Sequence, residues 1–511
     1  MLGVAAIAAL PMIRGYYFYG TGDPMTHLGW VKQILWGTLN MDEFFYPGLH
    51  LLAAEISKIS GLTPRHSLNL TAWLFTPIWL VFCPLLVREL TNSNEGLYIG
   101  GVAALILTPL NPINVRLVPL PSAQMVFFLT VVLYLYFRFF TDTLGDDTAA
   151  KITLGTVLTS VVFYHPQQAI NAIVLLGLLI VIAKIVDSES ETIETRPLTT
   201  VIAVGVLLVA WITSKETFHE VFQNLTLGLI ATIQGIISGV PQGSAGAGSA
   251  SRLESARALG YNIPLLGLKF IGKTLVAGAA ALLLAVSELR NKRISLPVRL
   301  LVASSAMLLF GGAFAGIGMI NQVARYAGVF IAIGSIVGAV GLTKYINSNG
   351  APTRRTIITI LLCASIIISV PVMFQSPFVA LYNRQVTESQ YQGYETAFEY
   401  GNNDIEYVHL RSETRRFEAA IYGSRAATDI EIDWASNQGR VPDHFVNQSL
   451  PAYYDGARYI SITDADRIRE DDLYNGYRYA KSDFVYLGQA THRVVDTNGY
   501  QLYFLAENRS S

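Results

Sequence analysis

The chain has 511 residues, of which 52% are hydrophobic and 14% charged, and its mean hydropathy is +0.40. Because soluble domains carry about 25% charged residues, this composition excludes an ordinary soluble protein and predicts that most of the chain lies in lipid. The formal net charge is −1, and the sequence has no basic cluster that indicates a nucleic-acid partner.

The first polar segment, residues 14–69, contains two amphipathic helical patterns, at about residues 24–35 and 47–59. We expect both helices to lie along the membrane surface. The apolar stretch before them, residues 1–13, is too short to cross a bilayer. Either the natural start lies upstream, or this first helix is incomplete.

Ionisable side chains stand at the start of each amphipathic pattern. Asp23 precedes Pro24, which is typical of a helix start where a carboxylate caps free N–H groups. Alternatively, Asp23 is a general base for a sugar hydroxyl, since a carboxylate is ionised at neutral pH and accepts a proton. His27 lies on the same helix face and either hydrogen-bonds the cap or the surface, or orients a sugar or the base. Asp42 and Glu43 are solvated loop carboxylates or substrate contacts.

Ten apolar runs that are long enough, or nearly long enough, to cross a bilayer follow along the chain. They cover residues 71–87, 97–110, 125–140, 152–164, 169–185, 198–213, 263–286, 297–317, 326–346 and 357–373. The basic short segments 288–295 and 347–356 face the cytoplasm by the positive-inside rule. Alternation then places outside the segments 14–69, 111–124, 164–168, 214–262 and 321–325, together with the tail from about residue 375.

Three cations lie near the outer ends of the spans. Lys269 and Lys273 are spaced i, i+4 on one face of the run 263–286, and Arg325 stands at the mouth of the next outward-facing pair. Cations at such positions either snorkel to the surface or have anionic partners. For Arg325 we favour a lipid phosphate, because a guanidinium binds phosphate oxygens bidentately.

The outer segments add further candidate substrate-binding residues, namely Arg116, His165, Glu216 and His219. With Glu220, the last two form a Glu/His group whose spacing suits a divalent cation such as Mg²⁺ or Mn²⁺. No second dense ligand cluster lies nearby in sequence, so a metal is not required by the pattern. The glycine- and serine-rich run at 243–251 is either slack or a mobile lid over a substrate.

The tail is acidic and poor in lysine. Residues 376–511 hold 20 acidic and 13 basic side chains, with one lysine, Lys481. Residues 483–505 read as strands around a turn at Asn498–Gly499. The predicted fold is therefore an α-helical polytopic membrane protein with about 11 transmembrane helices in residues 1–374, followed by a small extracytoplasmic α/β domain in residues 375–511.

Two stretches carry a resemblance to a known superfamily. "GDPMTHLGWVKQILWG", from residue 22, and "FFYPGLHLLAAEISKISGL", from residue 44, resemble the first outer loop of the GT-C membrane glycosyltransferases. The segment "ARYAGVF" is similar to the arginine segment that these enzymes associate with the carrier phosphate, and "HRVVDTNGYQLYFL" is similar to hairpin endings of their outer domains. Asp23 and His27 match the acidic motif of the first loop, whereas Pro24 replaces its second acid.

The resemblance implies an inverting transferase on the outer face of an archaeal-type cell membrane. Such an enzyme takes a sugar from a polyprenyl (dolichyl) phosphate carrier and gives it to a glycan or glycoprotein acceptor. Asp23 and His27 would be catalytic, and Arg325, with Lys269 or Lys273, would bind the donor phosphate.

Two features depart from the superfamily pattern. The second outer segment, residues 111–124, has no acid, which weakens a metal-dependent Asp-x-Asp mechanism. The tail has a single tryptophan, Trp434, and so lacks the Trp-Trp-Asp type of motif that oligosaccharyltransferases carry. This argues against en bloc glycan transfer to asparagine.

Three other functions remain open on the sequence. A transporter or flippase of lipid-linked glycans predicts ionisable residues near the bilayer midplane and paired broken helices, and few of either are visible in the spans. A polymerase or ligase of lipid-linked glycans shares the long outer loops. A non-enzymatic envelope protein would use Asp23 as a helix cap alone.

Overall fold

The computed structural model describes residues 6, 8–42, 44–107, 117–140, 147–186, 197–216, 218–219, 222–223, 226–227, 230, 257–316, 320–347, 352–402, 404–410, 414–423, 441–445 and 449–507. The chain forms two compact units. The membrane unit consists of Met1–Ala8, Met41–Leu49 and Ala72–Phe374. The tail unit consists of Ala9–Asn40, His50–Thr71 and Gln375–Ser511.

Helices account for most of the described chain up to the tail. After α1 (Leu10–Ile13), they are α2 (Asp23–Trp36), α3 (Gly48–Ser60), α4 (Pro64–Thr91), α5 (Asn94–Leu107), α6 (Pro121–Phe140), α7 (Asp147–Tyr164), α8 (Pro166–Val186), α9 (Leu198–Thr213), α10 (Ile263–Ile271), α11 (Leu275–Arg290), α12 (Leu296–Gly316), α13 (Ile320–Asn347) and α14 (Pro352–Ser369). Each of the ten predicted apolar runs coincides with a helix wherever it is described. The predicted helices at 24–35 and 47–59 are α2 and α3.

Seven helical stretches are long and apolar enough to cross a membrane. They are Pro64–Thr91, Pro121–Arg138, Pro166–Val186, Ile263–Arg290, Leu296–Ala315, Arg325–Asn347 and Pro352–Val372, with Thr148–Tyr164 and Leu198–Thr213 as shorter apolar helices. The protein is therefore an α-helical, multi-pass membrane protein, as predicted. The described residues thus contain seven helices of span length and two shorter apolar helices. The sequence predicted about 11 transmembrane helices.

Two short outer segments predicted as loops are largely helical. Helix α13 begins at Ile320, so Arg325 lies in its second turn and not in a loop. No glycine or proline stands between Ile320 and Arg325 to stop the helix. Between α7 and α8 the predicted loop shrinks to His165, because Pro166 takes the first helical position, where its missing N–H costs no hydrogen bond.

The fourth candidate span is interrupted near its middle. A 3-10 turn at Gly272–Thr274 separates α10 from α11. Lys269 lies before the turn and is half-buried, whereas Lys273 lies within it and is completely buried. The prediction that Lys269 and Lys273 share one helix face, at i, i+4, assumed an uninterrupted α-helix. The 3-10 turn interrupts that helix.

The tail unit contains a four-stranded sheet of order β3-β4-β6-β5. Its strands are β3 (Glu406–His409), β4 (Arg458–Thr463), β5 (His492–Asp496) and β6 (Tyr500–Leu505), and β3 runs parallel to β4 while the other neighbours are antiparallel. A buried cluster that includes Leu410, Ile460, Tyr479, Leu487 and Leu505 packs against this sheet. Further helices are α15 (Glu388–Tyr400), α16 (Thr414–Tyr422), α17 (Leu450–Tyr453), α18 (Asp464–Ile468) and α19 (Lys481–Ala490).

The terminal hairpin is confirmed, but part of its predicted sequence is helical. Strands β5 and β6 pair around a turn at Asn498–Gly499, in which Asn498 has φ 62°, a left-handed conformation that asparagine tolerates. Residues 483–490, predicted as strand, belong to α19 instead. Phe484 and Leu487 are both buried, and their spacing of three residues places them on one helix face.

The amino-terminal segment of the tail unit is bound to its carboxy-terminal part. Strand β1 (Phe18–Tyr19) pairs antiparallel with β2 (Gln385–Val386). Helix α2 then packs on α16 so closely that a Cβ on Gly29 would overlap the carbonyl of Ala419. Glycine at position 29 is therefore what lets the two helix backbones approach each other.

Candidate functional site

Asp23 stands in the first turn of α2, and the helix does not use it as the cap. Gly22 occupies the N-cap position with φ 80°, a left-handed conformation that favours glycine, and makes no side-chain cap bond. The cap interpretation of Asp23 is therefore wrong in this structure. The carboxylate is still favoured at this end of the helix by the helix dipole.

The partner of Asp23 is an arginine of the tail that the sequence analysis did not select. Arg416 Nη2 lies 2.7 Å from Asp23 Oδ1, and Arg416 Nη1 donates a hydrogen bond of 2.8 Å to the Thr26 hydroxyl. The side chain of Arg416 is mostly buried, whereas 56% of the Asp23 side chain is exposed. The guanidinium thus holds the carboxylate in place and leaves much of it accessible.

Further along α2, Lys32 binds α2 to the tail helices α15 and α16. Lys32 Nζ donates hydrogen bonds to the Tyr391 hydroxyl, at 2.7 Å, and to the Ile421 carbonyl, at 3.3 Å. Burial lowers the pKa of Lys32 to about 8, although the nearby Glu395 carboxylate acts in the opposite direction. Both ends of α2 are therefore tied to the tail helices by cations, which makes the orientation of Asp23 a property of the whole tail unit.

His27 lies inside the tail unit. Its ring is 3% exposed, its Nδ1 lies 2.9 Å from His50 Nε2, and both rings pack against Trp30. Burial lowers the pKa of His27 to about 4, so the ring is neutral at neutral pH. The structure thus places His27 in a buried histidine pair with His50.

The buried histidine makes the stability of the protein sensitive to acid. Its pKa is about 4 in the folded state and about 6.5 in an unfolded chain. Between these values the unfolded chain binds more protons, so the free energy of unfolding falls as the pH drops from 6.5 to 4, by up to about 3 kcal/mol. Above pH 6.5 the full contribution is present. We expect the Tm of the purified protein to fall between pH 7.5 and pH 5, and His27→Asn to make this fall smaller.

The matched control is His492→Asn, which changes an exposed histidine on β5. It should leave the pH dependence of Tm as in the wild type. If His27→Asn has the same pH dependence as the wild type, His27 does not carry the acid sensitivity.

A second group of polar side chains lies at one end of the membrane unit. The Tyr164 hydroxyl, at the end of α7, donates a 2.5 Å hydrogen bond to Gln124 Oε1 in the first turn of α6. Arg325 Nη1 donates a 2.9 Å hydrogen bond to Gln167 Oε1 in the first turn of α8. His165 lies between α7 and α8, so the structure brings two predicted site residues, His165 and Arg325, to the same helix ends.

The 41–49 segment of the membrane unit joins this group. The Tyr46 and His165 rings lie 5.6 Å apart. At the end of α9, Trp211 Nε1 donates to the Phe45 carbonyl at 3.0 Å, and Lys215 Nζ donates to the Met41 carbonyl at 2.9 Å. The segment that follows α2 in sequence is thus anchored on the ends of α8 and α9.

The other predicted site residues are placed as follows. Asp42 is exposed in the anchored segment, and Glu216 and His219 are exposed beyond α9. Arg116, Glu43, Glu220 and the glycine-rich run at 243–251 lie outside the described residues. Among the residues that the structure describes, no group of three His, Cys, Asp or Glu side chains is arranged to hold a metal ion.

Three kinds of residue were missed by sequence reasoning. Arg416 was missed because its partner is remote along the chain, although the pair Arg415–Arg416 at the start of an amphipathic helix was a visible signal. His50 was missed within a stretch, "YPGLHLL", that reads as apolar. The amides Gln124, Gln167 and Gln168 were missed because they are uncharged, and only titratable side chains were considered as candidates at the span ends.

Comparisons with known proteins agree with this architecture. Residues 3–223 match a family of unknown function, DUF6541, and no curated protein matches the sequence. The Archaeoglobus fulgidus oligosaccharyltransferase, crystallised with Zn and sulfate, has a TM-score of 0.57 at 13% identity over 98% of this chain and 72% of its own. AglB from the same organism, with an inhibitory peptide and a dolichol-phosphate, has a TM-score of 0.54 at 13% identity over 100% and 74%.

A bacterial enzyme covers the chain to a similar extent. ArnT from Cupriavidus metallidurans, bound to undecaprenyl phosphate, has a TM-score of 0.50 at 10% identity over 98% of this chain and 97% of its own. The predicted fold, a polytopic helical membrane protein with a small carboxy-terminal sheet domain, is therefore confirmed. At 10–13% identity the likeness concerns the fold.

Proposed function

We propose that this GT-C-like membrane protein is an inverting glycosyltransferase. It moves a sugar from a polyprenyl (dolichyl) phosphate carrier to a glycan or glycoprotein acceptor on the outer face of an archaeal-type cell membrane, where the tail also lies. The neighbours solved with dolichol-phosphate and undecaprenyl phosphate support a lipid phosphate as carrier, and the neighbour tethered with an acceptor peptide supports a glycoprotein acceptor. A divalent cation stays a prediction.

The observation that carries the proposal is the Asp23–Arg416 pair. A general base has to be fixed in direction and yet open to substrate. Asp23 meets both needs, because one oxygen is 2.7 Å from a mostly buried guanidinium while more than half of the side chain is exposed. His27 is assigned a positioning role, since it is buried on α2 four residues after Asp23.

The donor phosphate is assigned to Arg325. Its guanidinium is half-buried, and the partner that the structure gives it is the neutral amide of Gln167, so its charge is not balanced by a carboxylate among the described residues. Such a guanidinium binds a phosphate through its remaining N–H groups. Lys269 is the predicted second cation, and the apolar spans supply the surface for the prenyl chain.

The chemical step is then a single displacement. Asp23 takes the proton of the acceptor hydroxyl, whose oxygen forms a bond to the anomeric carbon of the sugar. The bond between that carbon and the phosphate oxygen breaks, and its electron pair leaves with the polyprenyl phosphate. The phosphate is already a weak base, so it needs electrostatic stabilisation, from Arg325, more than a proton.

The test of the donor assignment is Arg325→Gln. The purified protein is reconstituted in liposomes with radiolabelled dolichyl phosphate glucose or mannose and an envelope fraction from cells that lack the protein. Loss of a charge-assisted hydrogen bond should raise the KM for the donor about 10- to 100-fold. Arg355→Gln, at an exposed arginine in the first turn of α14, is the control. An unchanged dependence on donor concentration in Arg325→Gln would contradict the assignment.

A second candidate function, transport of lipid-linked glycans, is favoured by one feature. Lys273 is completely buried in the 3-10 turn that interrupts the span Ile263–Arg290, and an ionisable residue at a helix break is typical of transporters. Movement of a fluorescent dolichyl phosphate glucose across the liposome bilayer, with no sugar transferred to the envelope fraction, would favour transport. Sugar transfer in the same liposomes distinguishes a transferase from a transporter, and chain extension of the product identifies a polymerase or ligase.

A further inference from the structure

Three buried amide side chains at one end of the membrane unit have polar atoms that no atom of the described residues satisfies. Gln124 is 1% exposed, Gln168 is 4% exposed and Asn171 is 2% exposed. Gln124 Nε2, Gln168 Nε2 and Asn171 Oδ1 have no hydrogen-bond partner within the part of the chain that the structure describes. Leaving a buried donor or acceptor unpaired costs about 1–3 kcal/mol each. Three such groups together indicate that something outside the protein completes them.

The three amides lie at the same helix ends. Gln124 is in the first turn of α6 and accepts the hydrogen bond of Tyr164 at the end of α7. Two residues after Tyr164, α8 begins, and it carries Gln168 and Asn171 in its first two turns. Helices α6 and α8 pack against each other. The amides therefore surround the α7–α8 connection, next to the residue, Gln167, that holds Arg325.

The unsatisfied groups define the chemistry of the missing partner. Asn171 Nδ2 and Gln168 Oε1 already bond to each other at 3.1 Å. Whichever way these two amides are turned, one NH₂ group and one carbonyl oxygen remain unpaired, because each amide has both. The partner must therefore accept and also donate hydrogen bonds. A phosphate or carboxylate anion has no proton to donate, whereas a sugar hydroxyl does both.

We propose that Gln124, Gln168 and Asn171 form a subsite for the hydroxyl groups of an uncharged glycosyl unit, which under the proposed function is the sugar on the carrier lipid. The amide NH₂ groups of the two glutamines donate to sugar oxygens, and Asn171 accepts from a sugar hydroxyl. Arg325, beside Gln167, binds the phosphate and so separates the charged from the uncharged part of the donor. No bond is made or broken at the subsite.

The test is binding of lipids with and without a sugar. Dissociation constants are measured by native mass spectrometry for dolichyl phosphate, dolichyl phosphate glucose and dolichyl phosphate mannose, with the full chain in detergent. Three added hydrogen bonds of about 0.5 kcal/mol each are worth about tenfold in affinity, so at least one sugar-bearing lipid should bind the wild type about tenfold more tightly than bare dolichyl phosphate.

The informative variant replaces the hydrogen-bonded amides together. Gln168→Met with Asn171→Leu removes one unpaired donor and one unpaired acceptor at once and leaves only Gln124 Nε2 unsatisfied, so the Tm should stay the same or rise. The preference for the sugar-bearing lipid should fall from about tenfold to about twofold, the contribution of the remaining Gln124, while the affinity for bare dolichyl phosphate stays unchanged. Thr130→Val is the control, because Thr130 is also buried on α6 but its hydroxyl already donates to the Phe127 carbonyl.

Two results would overturn the subsite. One is a double variant that keeps the full preference, which is expected if the amides bind ordered water alone. The other is a wild type with no preference for either sugar-bearing lipid. The transfer reaction and the subsite can be contradicted separately. If the wild type prefers a sugar-bearing lipid but transfers no sugar, the reaction is contradicted and the subsite is kept. If the wild type transfers sugar and the double variant keeps an unchanged preference, only the subsite is contradicted.

Discussion

Asp23→Asn is expected to lower the rate of sugar transfer by about 10²- to 10⁴-fold, the range over which a general base acts. An asparagine has nearly the same shape, and its carbonyl oxygen can still accept a hydrogen bond from Arg416, so α2 and α16 should remain packed. The amide cannot take the proton of the acceptor hydroxyl. The loss should therefore appear in the single-turnover transfer rate, with the affinity for the donor lipid and the Tm close to those of the wild type.

The matched control for this substitution is Glu55→Gln. Glu55 is an exposed carboxylate of the tail unit on α3, 3.7 Å from Lys58, and no role in the reaction is assigned to it. Its neutralisation should leave the transfer rate within about twofold of the wild type, as for most surface substitutions. If Asp23→Asn transfers sugar at the wild-type rate, Asp23 is not the general base and serves only to hold α2 in place.

Arg416→Gln is expected to lower kcat about 10²-fold, because a carboxylate displaced by about 1 Å loses a factor of this size. Arg416 uses two nitrogens, one toward Asp23 and one toward Thr26. A lysine offers a single ammonium group and cannot reproduce this fork, so Arg416→Lys should restore kcat in part. The KM for the donor lipid should change little, since the donor phosphate is assigned to Arg325.

Two further variants separate positioning from simple stabilisation. Arg415→Gln changes the neighbouring arginine, which is exposed, and should have no effect on kcat. Asp23→Asn combined with Arg416→Gln should be no slower than Asp23→Asn alone, because a residue that acts through Asp23 has nothing left to position. Losses that multiply in the double variant, or a lower Tm of Arg416→Gln with normal kcat, would show that Arg416 does not act through Asp23.

The helical architecture followed from hydropathy, and its exceptions have local causes. Apolar runs of span length predict helices because lipid leaves the backbone no other partner than itself. Their ends were harder to predict: α13 extends back over Arg325 because the polar residues before it are compatible with a helix. In the tail, residues 483–490 contain side chains that favour strands. They form a helix because this conformation buries Phe484 and Leu487 on one face.

The candidate site was predictable only in part, because a sequence pattern reports neighbours along the chain and not across it. Asp23 and His27 are correctly assigned to one helix, but their surroundings differ: the first is largely exposed and the second is buried against His50. Arg416, on a helix that is distant in sequence, forms an ion pair with Asp23. No local sequence pattern links the two residues. The buried amides of α6 and α8 needed the structure, since only burial distinguishes them from surface glutamines.

The tight crossing at Gly29 limits how such chains can be recombined. Because Gly29 admits the Ala419 carbonyl where a Cβ would otherwise lie, α2 is shaped to one particular α16. A chimera that takes its tail from a relative and keeps its own first loop would place a foreign helix on that surface. Exchange of the tail between relatives therefore requires residues 9–40, 50–71 and 375–511 to be transplanted together as one discontinuous unit.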